Sequence, residues 1–244
     1  MDKFLKYKQK YIQLNLKGGV GGEDAVGFSK EDDEQKALFE QVVKDSIDVA
    51  NTILTLNNTA PRLFVCLGAS PAYVYSALST IIRKRELSHN IVEIPLSGMS
   101  LIYSDSYTIP SEEKKTHFLK YISQFIVNKD KSMIIIDHCH TCKSVDSFIR
   151  LLRETNFYTN DIDYINLLDD VTADGWIQRP TLIRNYEVVR SSTLNKISGH
   201  VVPRAVPEYS FWHDLGTNSV NYDSISEDAR ALQKSIVERI NSLT

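Results

Sequence analysis

Apolar positions along the chain switch between two periods from Glu34 onward. Across 34–56, Phe39, Val42, Val43, Val49, Ala50 and Ile53 recur at helical spacing and predict an amphipathic helix. Arg62–Leu67 (RLFVCL) is a short apolar run, the pattern of a buried strand. Gly68-Ala69-Ser70-Pro71 follows as a turn, and Pro71 suits the first turn of a helix over about 71–84. A second strand is predicted at Ile91–Pro95. Ser111, with Glu112 and Glu113 behind it, is a good N-cap for a helix to about residue 127, whose apolar stripe is Phe118, Ile122, Phe125 and Ile126. Met133–Asp137 (MIIID) is the clearest strand. A helix at about 143–155 and a strand at Tyr164–Leu168 come next. Residues 170–220 mix turn signals, proline and aromatics, and a last amphipathic helix covers about 225–241.

Strands alternating with helices predict an α/β domain with a mostly parallel central sheet and helices on both faces. Crossovers should be right-handed. Ligands in such sheets bind beyond the C-terminal ends of the strands, where three turns fall: 67–71, 95–100 and 137–144. The first 17 residues, MDKFLKYKQKYIQLNLK, are rich in lysine and tyrosine, and the next segment, GGVGGEDAVG, holds half of the ten glycines. A nucleotide-binding glycine loop needs a strand before it and a helix opening from it, and neither is present. Residues 1–30 therefore read as a basic leader and flexible linker, and 31–244 as a single domain. The acidic run Glu31–Glu34 favours a helix start there.

Composition narrows the function classes. The 244 residues are 42% apolar and 24% charged, ordinary for a globular core. A net charge of -3 gives no overall basic field for nucleic acid. No apolar stretch approaches the ~20 residues of a membrane span, and the basic N-terminus lacks the apolar run and cleavage site of a secretory signal. A cytoplasmic protein is expected. Cys66, Cys139 and Cys142 are too few for a disulfide scaffold and read as reduced thiols, Cys66 as a small core hydrophobe.

The richest chemistry lies in MIIIDHCHTCKSVDSFIRLL. An apolar strand ends in Asp137, a short loop follows, and a helix opens at Thr141–Ser144. The first amides of a helix have no internal partners, and its dipole favours an anion there. Thr141 and Ser144 add hydroxyl donors, Lys143 adds positive charge, and Asp137 stands beside the loop as an acceptor for sugar hydroxyls. Asp137 could equally be a cap for the next helix.

This segment resembles the signature of the type I phosphoribosyltransferases: four apolar residues, two acidic residues, a short variable stretch, then Thr-Gly-x-Ser/Thr opening a helix. Thr141-Cys142-Lys143-Ser144 lies on the last element, Asp137 on the second acidic place and Ile136 on the first. The resemblance implies that Asp137 holds ribose hydroxyls in a catalytic role. It implies that His140, Thr141, Cys142, Lys143 and Ser144 cradle the 5′-phosphate of phosphoribosyl pyrophosphate. Leu67-Gly68-Ala69-Ser70-Pro71 looks like the family's pyrophosphate loop, with Gly68, Ala69 and Ser70 at its centre. Ile94-Pro95-Leu96-Ser97-Gly98 resembles another site-facing turn. Tyr209, Phe211 and Trp212 are placed like a base-stacking hood, although aromatics packed over a sheet end give the same pattern. An active member would bind phosphoribosyl pyrophosphate with Mg²⁺ and exchange pyrophosphate for a nitrogen nucleophile, with no metal held by the protein alone. The leader resembles the Lys/Tyr-rich, Gly-Gly-ending N-termini of proteins from giant amoeba-infecting viruses, which implies a host-cytoplasmic or virion setting.

The motif departs from the family at three points. The first acidic residue is missing, Cys142 replaces a glycine that lets backbone approach phosphate, and the pyrophosphate loop carries no Lys or Arg. The reading is therefore a domain that binds a phosphorylated ribose or nucleotide, with transferase activity weak or lost. Self-association is compatible with it. A non-catalytic regulatory module on the same fold is the alternative. Cys139-His140-Thr141-Cys142 also reads as a C-x-x-C redox pair at a helix N-terminus. His138, Cys139, His140 and Cys142 form a donor cluster, but with no second pair along the chain to complete a zinc site.

Overall fold

The computed structural model describes residues 30–57, 59–96, 111–139, 142–169, 179–194 and 225–243. By compactness the chain divides into Met1–Lys36 and Ala37–Thr244. Of the first unit, only the opening of a helix lies among the described residues. The basic leader, the glycine-rich segment, Ser97 and Gly98, His140 and Thr141, and Tyr209, Phe211 and Trp212 all lie outside them.

Among the described residues ten elements follow one another: α1 (Lys30–Leu56), β1 (Arg62–Leu67), α2 (Ala72–Lys84), β2 (Asn90–Ile94), α3 (Glu112–Ile122), β3 (Ser132–Asp137), α4 (Lys143–Glu154), β4 (Ile162–Asp169), β5 (Tyr186–Ser191) and α5 (Glu227–Ser242). The five strands form one sheet in the order β2-β1-β3-β4-β5, and every pairing is parallel. The expected α/β architecture is present, with the sheet wholly parallel across the described strands.

Side-chain alternation assigns the two faces. Phe64, Cys66, Ile134, Ile136, Ile165 and Leu167 point to one side, where α1, α2 and α5 bring Val42, Ile53, Leu78 and Ile236 against them. Val65, Leu67, Met133, Ile135 and Tyr164 point to the other, under Phe118 and Ile122 of α3 and Phe148 and Ile149 of α4. Strands covered on both faces read as continuous apolar runs, which is why β1 and β3 were conspicuous in the sequence. On the second face the rings of Phe118 and Phe148 meet edge-on, 5.8 Å apart, a contact worth ~1 kcal/mol beyond its buried area.

The ends of the elements have local causes. Ser111 and Ser226 accept from the backbone N–H groups of Lys114 and Ala229, capping α3 and α5. Lys84 of α2 donates to the terminal carbonyls of Ile240 and Asn241 at 2.7 and 3.2 Å, closing the far end of α5. The Asp45 carboxylate of α1 accepts from the hydroxyls of Ser191, Ser192 and Thr193 and from the Ser192 amide, at 2.6–2.9 Å. It thereby pins the exit of β5.

Three details differ from the sequence reading. α3 stops at Ile122 rather than near 127, because the chain turns through Ser123–Phe125 and Ile126 reaches the core from the turn. β2 ends at Ile94 rather than Pro95, since proline has no N–H for a ladder. β5 falls inside the region read as mixed. Its run YEVVRS is a short edge strand with Val188 exposed, so it carries little apolar signal. No helix among the described residues is long and apolar enough to cross a membrane.

Candidate functional site

Two neighbouring strands, β1 and β3, send their connections in opposite directions along the sheet. β1 is followed by β2 on one side, and β3 by β4 on the other. This is the topological switch point, where ligands settle in open parallel sheets. The chain leaves β1 at this edge through Gly68–Pro71 and leaves β3 through His138 and Cys139, with Cys142 at the opening of the next helix. The described parts of two of the three turns singled out from the sequence therefore lie at neighbouring strand ends. Of the third, only Pro95 and Leu96 are described.

The first turn is built from backbone. Gly68 adopts φ +76°, a conformation natural to glycine, and a Cβ there would sit 3.4 Å from the Leu96 carbonyl oxygen. Its N–H donates to the Ile94 carbonyl at 3.0 Å, tying the turn to β2. Pro71 is the N-cap of α2, and Tyr75 N–H donates to its carbonyl at 2.7 Å. Gly68, Ala69 and Ser70 are half-buried.

The second turn is held by side chains. Asp137 accepts from the His138 N–H at 2.7 Å through Oδ1. His138 Nδ1 donates to the Leu167 carbonyl at 2.8 Å, which places its proton on that nitrogen. Asn166, fully buried in β4, clasps the backbone of Cys139. Its Oδ1 accepts from the Cys139 N–H at 3.0 Å, and its Nδ2 donates to the Cys139 carbonyl at 2.9 Å and to the Tyr186 hydroxyl at 3.1 Å. The Tyr164 hydroxyl lies within 3.2–3.3 Å of Cys139 Sγ, Asn166 Oδ1 and the Asp137 carbonyl. Asp146, in the first turn of α4, accepts from the Thr181 N–H at 2.7 Å and so fastens the segment ahead of β5. The Arg179 guanidinium sits 5.0 Å over the Tyr186 ring.

Asn166, Tyr164 and Tyr186 were missed in the sequence. Asn166 offered one signal: an uncharged polar residue inside the run IDYINLLD, in a strand buried on both faces, must find partners.

Cys142 occupies the N-cap of α4 with φ 52° and ψ 13°, in the left-handed region. A residue with a Cβ rarely sits there. The resemblance noted in the sequence puts glycine at this place, and the backbone angles of Cys142 are ones natural to glycine. Its side chain makes no cap bond to the opening turn, because its sulfur is joined to Cys139 in a disulfide with the Cα atoms 5.1 Å apart. The expectation of three reduced thiols is corrected here. A spacing of three residues across a turn brings the two sulfurs into bonding distance, and only Cys66 is a free thiol. Cys66 lies in the core as expected, and burial, with Glu93 and Asp137 nearby, raises its pKa. Ser144 is half-buried in the first turn of α4, and Lys143 is exposed.

Electrostatics at this edge favour protonated acids. Burial pushes the Asp137 carboxyl up to about 8, against the lowering effect of its bond from the His138 amide. Burial likewise raises Glu93, at the end of β2, to about 8, and its Oε1 has no hydrogen-bond partner. The first acidic place of the family motif is filled by Ile136, which is fully buried. Among the described residues no group of three His, Cys, Asp or Glu side chains could hold a metal ion. Among the described residues Asp137 is the one motif acid at this turn, and a carboxyl kept protonated is a poor partner for a divalent cation, so these described residues do not fit a resident Mg²⁺.

Solved phosphoribosyltransferases are among the chain's structural neighbours. A hypoxanthine phosphoribosyltransferase from Staphylococcus aureus aligns with 16% identity and a TM-score of 0.33, over 61% of this chain and 74% of that one. A hypoxanthine-guanine-xanthine phosphoribosyltransferase aligns with 8% identity and a TM-score of 0.30, over 62% of this chain and 76% of that one. No family model matches the sequence, and no curated protein does. Likeness at this level does not bear on the chemistry of the site.

A small cleft of about 180 Å³ opens at the opposite edge of the sheet, near Asn57, Arg62, Asp163, Asn185 and Glu187. Arg184 pairs there with Asp161 and Asp163, the latter at 2.8 Å. This edge carries the N-terminal ends of the strands, away from the switch point. With Arg62–Asp163 at 3.8 Å, these ion pairs pin the starts of β1 and β4.

Proposed function

We propose that the chain binds a phosphorylated ribose or a nucleotide at the β1/β3 switch point. The observation that carries this reading is the pairing of Gly68–Pro71 with the turn that opens α4, where a non-glycine residue holds a left-handed backbone. Such a backbone turns successive N–H groups toward one concavity, and the α4 dipole adds to its pull on an anion. Ser144 and Lys143, together with His140 and Thr141, supply the remaining donors of this phosphate loop. Asp137 faces the sugar, and the turn after β1 receives whatever the sugar carries at its other end.

The reading favours binding over transfer. Transfer of a phosphoribosyl group needs the leaving pyrophosphate stabilised as charge develops on it. Here the turn after β1 has no cationic side chain, and the acidic pair of the family is reduced to one buried carboxyl. A weak or absent transferase activity follows.

The test is ligand titration of the full chain with inorganic phosphate, common nucleotides and phosphoribosyl pyrophosphate, followed by thermal denaturation. A ligand at about 100 times its Kd should add ~2.7 kcal/mol. Ser144→Asp puts a carboxylate where the anion should sit and should abolish binding at little cost in stability, since a carboxylate near a helix N-terminus is tolerated. Asp137→Asn should weaken ribose-bearing ligands more than free phosphate. Equal binding by wild type and Ser144→Asp would sink the reading.

A further inference from the structure

We propose that Cys139 and Cys142 form a reversible dithiol/disulfide couple that sets the affinity of the turn between β3 and α4 for a phosphate-bearing ligand. This rests on the binding reading above, and it adds a control that the binding reading does not contain.

The argument starts from the backbone of Cys142. A left-handed conformation disfavours a residue with a Cβ by a factor of about 5–30 relative to the right-handed one. Something must hold it, and the structure shows what does. Asn166 grips both the N–H and the carbonyl of Cys139. The disulfide carries that restraint across to Cys142, at 5.1 Å between Cα atoms. The turn is therefore held from β4, through two covalently joined residues, to the first residue of α4.

Opening the disulfide removes the restraint in two ways that act together. The backbone of Cys142 becomes free to leave the left-handed region, and with it the entry to α4 loses its fixed conformation. The freed sulfur of Cys142 is also no longer tied to Cys139, and at the N-terminus of α4 it can turn toward the amides that an incoming anion would use. Both effects make the reduced form the weaker binder.

The geometry also assigns the two sulfurs their roles. Cys142 is 1% exposed, whereas Cys139 is half-buried, so Cys139 is the more accessible sulfur. A thiolate of a small dithiol attacks Cys139 Sγ. A sulfur–sulfur bond forms between them, the Cys139–Cys142 bond breaks, and the electron pair leaves on Cys142 Sγ. The second thiol of the reductant, once deprotonated, then attacks its own sulfur in the mixed disulfide and expels Cys139 as a thiolate. The Tyr164 hydroxyl, 3.2 Å from Cys139 Sγ, is placed to donate to that leaving sulfur. Two electrons pass to the protein, and the dithiol is oxidised to its disulfide.

The experiment uses the full chain, with and without equilibration in dithiothreitol. Native alkylation and mass mapping read the thiols, and calorimetry reads the binding of phosphate and phosphoribosyl pyrophosphate. The expected result is alkylation of Cys139 and Cys142 in the folded, reduced protein with Cys66 protected, and ligand binding about 5- to 30-fold weaker than in the oxidised form. Binding by Cys142→Gly or Cys139→Ser should no longer respond to the dithiol. Equal affinity of the two forms, thiols that appear only after unfolding, or a Cys142→Gly protein that still responds would each overturn the couple while leaving the binding reading intact. Absence of binding in both forms would overturn the binding reading, and the control with it.

Discussion

The two turns at the switch point do the same geometric job by different means. After β1, the chain reverses on Gly68 and is closed by backbone hydrogen bonds, with Pro71 opening the helix. After β3, the chain reverses on a cysteine in a glycine-like conformation, held by Asn166, Tyr164, Asp137 and a disulfide. The first turn takes its backbone shape from four consecutive residues, with one tie to a neighbouring strand, from the Gly68 N–H to the Ile94 carbonyl. The second depends on residues in β4 and β5, up to 47 positions away (Tyr186 from Cys139, joined through Asn166). A locally encoded turn tolerates changes elsewhere in the domain, whereas a turn held from neighbouring strands fails when any one of those contacts is lost.

The comparison breaks most severely at Asn166. Asn166→Leu leaves the Cys139 N–H and carbonyl and the Tyr186 hydroxyl without their partner. Each buried orphan costs ~1–3 kcal/mol, so a loss of about 3 kcal/mol or more is expected in urea denaturation. Phosphate binding should weaken in step. A loss under ~1 kcal/mol would show that the second turn does not depend on β4.

Gly68→Ala comes next. It forces a Cβ into a left-handed backbone beside the Leu96 carbonyl and should cost ~1–2 kcal/mol. Cys142→Gly, compared with wild type in the presence of dithiol, should cost less than Gly68→Ala, since glycine relieves the penalty that Cys142 carries. The reverse order would contradict the account of Cys142.

Acid–base linkage sharpens the contrast at the ends of β2 and β3. The folded-state pKa values of Glu93 and Asp137 are about 8, above the ordinary 4.5 and 3.8. Between these limits the unfolded chain gives up protons that the folded chain retains. Stability should therefore fall as pH rises from about 4 to about 8 and level off above, by at most ~1.4 kcal/mol per pH unit for each group. Glu93→Gln and Asp137→Asn should each flatten part of that slope in denaturation curves measured across this range. A slope unchanged by both would remove these carboxyls as its source.

The smallest effect is expected at Lys143. Its side chain is exposed on the first turn of α4, so Lys143→Ala should change stability by less than ~0.5 kcal/mol. It should lower phosphate affinity modestly, more at low salt than at high. A large change in melting temperature would place Lys143 in the packing of the turn.

Much of this protein was determined by sequence alone. The apolar runs at 62–67 and 133–137 and the amphipathic periods around them dictate strands and helices in alternation, because burying such runs on both faces requires a covered parallel sheet. Gly68 and Pro71 dictate the first turn, because few residues other than glycine accept φ +76° and because proline, with no N–H to satisfy, suits a helix start. The edge strand β5 was invisible, since a strand with an exposed face and flanking polar residues has no apolar signature. The clasp of Asn166 on Cys139 could come only from tertiary structure: which backbone a buried amide satisfies depends on strand order and register, and these bring Asn166 opposite Asp137. The disulfide and the left-handed Cys142 belong to the same class. The spacing of Cys139 and Cys142 permits a thiol pair, a metal ligand set or a disulfide alike, and the choice among them was made by the turn that β4 imposes on the end of β3.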